Sequence, residues 1–263
     1  MKPIVFLGGG RITSALIAGL RVASFRGTVV VHDRNPAKLR ALKKQYGVSI
    51  GSDLQRAVDL AHILIIAVRP ASIGQLLRDI GTVSRPVVAV SLAAGVPLSK
   101  LRNGLGRPVR WARAMPSPVA RGGHGLSALT FERGFPPARR REIRRFFGMV
   151  GAVVEIPESR FDAFTVTYSS SHGYHALANL AAASQKLGLD RKIALTAAAH
   201  ALADGILSWR ENKTSLDALI HEAATPGGIA AAVMGAMDRD GYRDVIEAGL
   251  RAGMKRAKGN ATL

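Results

Sequence analysis

The residues best placed to do chemistry stand at the start of the chain. A short apolar run leads into Gly8-Gly9-Gly10-Arg11-Ile12-Thr13, and helical spacing follows at once. The first glycine permits a tight turn. Gly10 lets the backbone come close to a pyrophosphate, which the N–H groups and positive dipole end of a helix N-terminus then hold. The third position of this dinucleotide fingerprint is normally Gly or Ala, and here it is Thr13. A purely structural turn is the alternative, but the strand–turn–helix setting favours a dinucleotide. The second apolar run ends at Asp33, at the distance expected for a carboxylate that accepts hydrogen bonds from a ribose 2′-hydroxyl. Asp33 favours NADH, whereas the adjacent Arg34 can grip the 2′-phosphate of NADPH, so either cofactor remains open.

Other chemistries find less support. With no cysteine there is no disulfide framework, thiolate metal site or Cys nucleophile. His172 and His175 share a helix face but have no evident third ligand, so no metal site is expected. His221-Glu222-Ala223-Ala224-Thr225 begins like a zinc-protease helix and lacks the second histidine. The formal net charge of +19 raises the prospect of anionic partners. The densest basic stretch, Arg139-Arg140-Arg141-Glu142-Ile143-Arg144-Arg145-Phe146-Phe147, puts Ile143, Phe146 and Phe147 on one helical face and its arginines on the other. That is a solvated face rather than a reading element, and no aromatic residues interleave for base stacking, so nucleic acid ranks last among the partners. The charge suits a small anionic substrate and a phosphate-bearing cofactor. The apolar runs are too short to span a bilayer, and the chain reads as cytoplasmic.

The elements that must position the glycine loop follow from periodicity. Strands are predicted at residues 2–7, 28–32, 62–68, 86–92, 109–114, 125–130 and 152–156, with helices at 12–24, 36–46 and 71–80 between them. The strands are nearly continuous in Val, Ile and Ala, as in a parallel sheet covered on both faces. Near Pro157 the texture changes to Ala- and Leu-rich helices, predicted at 161–187, 191–210, 215–222, 227–238 and 242–258, with a break at Glu211-Asn212-Lys213. The expected architecture is α/β: a Rossmann-type doubly wound parallel sheet in a dinucleotide-binding domain, residues 1–157, and an all-α domain, residues 158–263. Helices apolar on several faces in so small a domain imply burial against a second copy, a homodimer.

Several segments occur together in a specific order: the glycine loop, Ala67-Val68-Arg69-Pro70, Ser91-Leu92-Ala93-Ala94-Gly95-Val96, Ala114-Met115-Pro116 and Thr225-Pro226-Gly227-Gly228. Over essentially its whole length the chain resembles the Δ1-pyrroline-5-carboxylate reductase family, which reduces a cyclic imine to proline with NADPH or NADH. The resemblance implies a C-terminal helical domain that interlocks with its twin, in dimers that can assemble further. It implies that Gly8, Gly10, Arg11 and Ile12 lie along the pyrophosphate, that Val68, Arg69 and Pro70 lie beside the adenosine ribose and the dinucleotide bridge, and that Ala93, Ala94, Met115 and Pro116 line the nicotinamide end.

Departures from the family pattern fall in the substrate half. The family's SGSGPAY is Tyr168-Ser169-Ser170-Ser171-His172-Gly173-Tyr174, and its SPGGTT is Thr225-Pro226-Gly227-Gly228-Ile229-Ala230, which loses a hydroxyl at Ala230. Imine reduction asks the protein to position donor and acceptor, protonate the nitrogen and hold the carboxylate. The expected proton donor is His172 or Tyr174, and a capping or packing role for either is the alternative. Thr225, counted with them among the catalytic residues, and the Gly227 and Gly228 amides are expected at the substrate carboxylate, and Ser171 is expected to bind substrate. Three functional readings follow: reduction of Δ1-pyrroline-5-carboxylate to proline, reduction of a different, for example six-membered, imino acid, and a non-catalytic dinucleotide-binding dimer.

Overall fold

The computed structural model describes residues 3–211 and 214–261. The expected strand start at Lys2 and the break at Asn212-Lys213 lie outside the described residues. The chain begins β1 (Ile4–Leu7), α1 (Arg11–Val22), β2 (Val29–His32), α2 (Pro36–Tyr46), β3 (Ser49–Ile50), α3 (Leu54–Leu60), β4 (Ile63–Ile66) and α4 (Ile73–Ile80). It continues β5 (Val87–Ser91), α5 (Leu98–Leu105), β6 (Val109–Met115), β7 (Gly125–Phe131), α6 (Pro137–Gly148) and β8 (Gly151–Glu155). These strands form one sheet in the order β3-β2-β1-β4-β5-β6-β7-β8. All neighbours run parallel except β6 and β7, which are antiparallel and are joined through a single 3₁₀ turn, Pro118–Gly122, too short for a crossover. The doubly wound α/β architecture expected from the sequence is present.

Each face of the sheet has its own core. Ile4 and Phe6 of β1 pack with Leu16, Leu20, Phe146 and Phe147 on one side, while Val5 and Leu7 pack with Val58, Leu77, Leu101 and Trp111 on the other. Burial on both faces is why the strands read as unbroken apolar runs. The start of α2 is fixed by Asn35, whose side chain accepts from the Ala37 and Lys38 amides, with Pro36 in the first turn; Gly47 ends it in the left-handed region at φ 65°. Helix α6 is amphipathic as predicted, with Ile143, Phe146 and Phe147 buried. Its arginines are not idle: Arg140 and Arg144 grip Glu155, and Arg139 holds Glu142, which also meets His62. Burial alone would raise both carboxyls, but these cations outweigh it and hold Glu142 and Glu155 below the ordinary carboxylate range. Sequence periodicity missed α3 and the two-residue β3, which are too short to show a clear period, and α5, although its buried Leu98, Leu101 and Leu105 carry helical spacing.

After the sheet come α7 (Glu158–Thr167), α8 (Ser170–Lys186), α9 (Arg191–Glu211), α10 (Leu216–Ala223), α11 (Ile229–Arg239) and α12 (Tyr242–Ala261). The single helix expected over residues 161–187 is two. Tyr168 leaves helical geometry at φ −89°, ψ 77°, and the Ser169 side chain then caps α8 by accepting from the Ser171 amide. Serine competes for backbone donors in this way, which apolar periodicity does not register. The chain forms two compact units, Met1–Tyr168 with Gly253–Leu263, and Ser169–Ala252. No described helix is long and apolar enough to cross a membrane.

Candidate active site

In a parallel sheet all strands deliver their C-terminal ends to one edge, and register decides how closely the following loops line up. Here Leu7 pairs with His32 and Ile66, Ile66 with Ser91, and Ser91 with Arg113. The pairing continues one step past the strands, from the Gly8 amide to the His32 carbonyl at 2.7 Å, Ala67 to Leu7 at 2.8 Å and Leu92 to Ile66 at 2.9 Å. Gly8, Gly10, Arg11, Ile12, Asp33, Arg34, Val68, Arg69, Pro70, Ala93, Ala94, Met115 and Pro116 therefore all stand at or just beyond the ends of five adjacent strands. Strand order reverses between β1 and β4, where such folds bind their ligands.

The glycine loop is shaped by specific contacts. Gly8 has φ 109°, and a Cβ there would stand 2.7 Å from the Ala67 carbonyl oxygen, so only glycine fits. Thr13, the departure from the fingerprint, is fully buried and donates its hydroxyl to the Gly8 carbonyl at 2.5 Å. It ties helix to loop where the fingerprint has a small residue for close packing. Gly10 is the N-cap of α1, and no side chain caps the helix. A Cβ on Gly10 would meet nothing within 4 Å. The first-turn N–H groups, which have no partner within a helix, thus open onto free space where a ligand can come against the backbone. These features fit a dinucleotide pyrophosphate.

Asp33 is half-buried, and both its carboxylate oxygens accept backbone amides: Oδ2 from Gly9 at 2.7 Å and Oδ1 from Asn35 at 2.8 Å. The carboxylate thus spans the ends of β1 and β2 and holds the loop. Arg34, Asn35 and Lys38 beside it are exposed, with Lys38 Nζ 3.8 Å from Asp33 Oδ2.

Sequence reasoning missed a second group of residues at this edge. Arg113, in β6, is buried, donates to Asp162 Oδ1 at 2.7 Å and Glu158 Oε1 at 3.5 Å, and lies 4.4 Å over the Phe161 ring. Glu158 Oε1 also accepts the Leu98 amide at 2.6 Å. This network fastens α7 to the strand that delivers Met115 and Pro116. An arginine inside the apolar run Trp111-Ala112-Arg113-Ala114 was the available signal, since a buried cation requires partners.

The helical unit holds the remaining candidates. Ser171, His172 and Tyr174 lie in the first two turns of α8 and are exposed, Tyr174 at 69%. The Ser171 hydroxyl is 2.7 Å from that of Ser169, and His175 is engaged by Asn179. Thr225, Gly227 and Gly228 precede α11. Gly227 has φ 77°, the Gly228 amide donates to the Thr225 carbonyl at 2.9 Å, and no side chain caps α11. Ala230 lies in the first turn of α11. The buried apolar cluster of this unit is Ala181, Ala194 and Ala198, with Leu177 against it. Large apolar side chains remain in solvent instead, among them Leu187 at 88%, Ile229 at 86% and Val245 at 70%. A unit with so small a core and so much exposed apolar surface requires a partner surface.

Comparison with known proteins gives the family and the fold. Residues 3–95 match the family described as NADP oxidoreductase, coenzyme F420-dependent, and residues 158–260 match pyrroline-5-carboxylate reductase dimerisation. The pyrroline-5-carboxylate reductase of Mycobacterium tuberculosis is 30% identical over 287 aligned residues, covering 98% of this chain and 96% of the relative. The crystal structure of 1-pyrroline-5-carboxylate reductase from Streptococcus pyogenes superposes with a TM-score of 0.88 at 22% identity, covering 98% of both chains. That of Plasmodium falciparum pyrroline carboxylate reductase with NADP bound superposes with a TM-score of 0.86 at 19% identity, again covering 98% of both chains.

Proposed function

This chain belongs to the pyrroline-5-carboxylate reductase family and is an NAD(P)H-dependent oxidoreductase acting on a C=N bond; from that premise we propose that it reduces Δ1-pyrroline-5-carboxylate to proline as a homodimer. The observation that carries the reading is the uncapped start of α1 at Gly10, open where a side chain would stand, at the point where the strand order reverses. A dinucleotide bound with its pyrophosphate there would supply the hydride from its nicotinamide. The residues of this chain bind, orient and protonate.

Gly10, Arg11 and Ile12 hold the pyrophosphate through backbone donors and the dipole of α1, and Gly8, whose amide pairs with the His32 carbonyl, makes the turn that brings them alongside it. Val68, Arg69 and Pro70 flank the adenosine side, and Ala93, Ala94, Met115 and Pro116 form an apolar wall for the nicotinamide. NADPH is the preferred cofactor in this reading. Both oxygens of Asp33 accept backbone amides, and the exposed Arg34 beside it can grip a 2′-phosphate. Arg34→Ala is expected to weaken NADPH about tenfold and leave NADH unchanged, the loss of one charge-assisted contact. Equal effects on both cofactors would reject the preference.

The imine's carboxylate is taken by the amides at the start of α11, with Gly227, Gly228 and Thr225 shaping the turn and Ser171 adding a hydroxyl. Nitrogen protonation falls to His172 or Tyr174, and the separate variants His172→Phe and Tyr174→Phe distinguish them. The variant that removes the donor lowers kcat and shifts its pH profile; the other leaves the profile as it was. Ala230, in place of the family's hydroxyl, supports a second reading in which the acceptor is a six-membered imino acid. Steady-state rates with five- and six-membered imines decide between them: a strong preference for the six-membered ring would replace the first reading with the second.

A further inference from the structure

The tail of α12 is rich in charge, Lys255-Arg256-Ala257-Lys258-Gly259-Asn260-Ala261, yet two of its residues, Ala257 and Asn260, are buried. They are three apart and share one face. That face presses on the loop between β5 and α5. Asn260 Nδ2 donates to the Ala94 carbonyl at 3.1 Å. Gly95, at φ 76°, lies so close to the Ala257 backbone that no side chain fits between them. Lys100 Nζ donates to the Ala261 carbonyl at 3.0 Å. The loop is also anchored on its other side: the Ser91 hydroxyl accepts the Ala93 amide at 3.3 Å, Glu158 accepts the Leu98 amide, and Ala93 and Val96 are buried in the core of the sheet. Ala94 and Gly95, between these anchors, lie against the last turns of α12.

Burying a side-chain amide costs free energy unless it is paired, and a helix terminus ordinarily frays. A paired, buried asparagine in the last turn points to a constraint that matters to the loop. We propose that Asn260 is a positioning residue for the reduction: it sets the Ala94 carbonyl, and with it the backbone of residues 93–95, at the nicotinamide end. The inference rests on the reading above that Ala93 and Ala94 line that end. Asn260 touches no substrate and acts through the loop alone. Small displacements of positioning groups are costly in rate even when they lie away from the reacting atoms.

The test uses the full-length protein with Asn260→Ala, which removes the donor, and Asn260→Asp, which sets a carboxylate against the carbonyl. Four quantities are measured: kcat and KM with Δ1-pyrroline-5-carboxylate, affinity for NADPH, affinity for 2′-phospho-ADP-ribose, which lacks only the nicotinamide, and amide hydrogen exchange of residues 93–96 in the free protein. For Asn260→Ala, kcat falls about tenfold with KM for the imine little changed, and Asn260→Asp falls further. Exchange at residues 93–96 rises, NADPH binding weakens, and 2′-phospho-ADP-ribose binds as to the parent protein. An unchanged kcat in folded variants overturns the proposal. So does a parallel loss of both affinities together with thermal stability, which would mark a merely structural residue. If the parent protein fails to reduce the imine, the proposed function fails, and the inference is still decided by NADPH against 2′-phospho-ADP-ribose: selective weakening of NADPH upholds it, and equal effects reject it.

Discussion

Replacing Gly10 by alanine separates folding from cofactor binding. Gly10 has φ −81° and ψ −172°, values any residue adopts, and its added Cβ would find nothing within 4 Å. Two small terms then oppose each other. Alanine restricts the unfolded chain, a gain of about 0.4–1 kcal/mol, and it is a poorer N-cap than glycine by a comparable amount. The net effect on stability is within about 0.5 kcal/mol, or about 2 °C in Tm for a chain of this size. The methyl group, however, occupies the space through which a pyrophosphate reaches the first-turn amides. Loss of one charge-assisted hydrogen bond costs about 1.5–3 kcal/mol, which is roughly 10- to 150-fold in affinity. Thermal unfolding and fluorescence titration with NADPH measure the two effects on the same sample. Gly8→Ala is the contrast: at φ 109° and 2.7 Å from the Ala67 carbonyl oxygen it destabilises the fold itself. Gly10→Ala binding NADPH as tightly as the parent, or unfolding as readily as Gly8→Ala, would refute the placement of the pyrophosphate.

Arg113→Met leaves Asp162 and Glu158 without their buried cation; because both carboxylates keep partial contact with water, the loss is at the lower end for a broken buried pair, about 2–3 kcal/mol, seen as a Tm lowered by roughly 4–12 °C. Glu155, held low by Arg140 and Arg144 against the opposing effect of burial, contributes stability above its unfolded pKa that is lost as pH falls through the folded value. Tm should therefore fall on acidification below about pH 4.5, and Glu155→Gln should flatten that limb; an identical acid limb in parent and variant would contradict the pairing. Placing aspartates at Ile193 and Ile206 of α9, each more than half exposed in one chain, should halve the mass seen by light scattering, and an unchanged mass would show that these side chains do not lie in the dimer interface.

Much of the cofactor half was legible in the sequence. Strands buried on both faces carry unbroken apolar runs, and Asn35-Pro36 and Gly47 fix the ends of α2 by local chemistry. The glycine loop was equally readable because Gly8 answers to a local φ and a near neighbour. Asp33 was legible as the carboxylate that ends β2, but its bond to the Gly9 amide was not, since it joins residues 24 apart and no local pattern encodes it. The same holds for Arg113 with Glu158 and Asp162, and for Asn260 with Ala94: each is a tertiary pairing between distant segments. The break at Ser169 was missed because capping by a serine interrupts a helix without interrupting its apolar spacing. In the helical unit, the Ala-rich faces signalled a missing partner surface, and the exposure of Leu187, Ile229 and Val245 has the same origin.

Oxidation of NADPH by the purified protein with Δ1-pyrroline-5-carboxylate as acceptor tests the central claim most directly, followed by absorbance loss and by proline formation. The account predicts rapid, imine-dependent oxidation with one proline formed per NADPH, faster with NADPH than with NADH. Cofactor binding without oxidation of NADPH or NADH in the presence of this imine would contradict it.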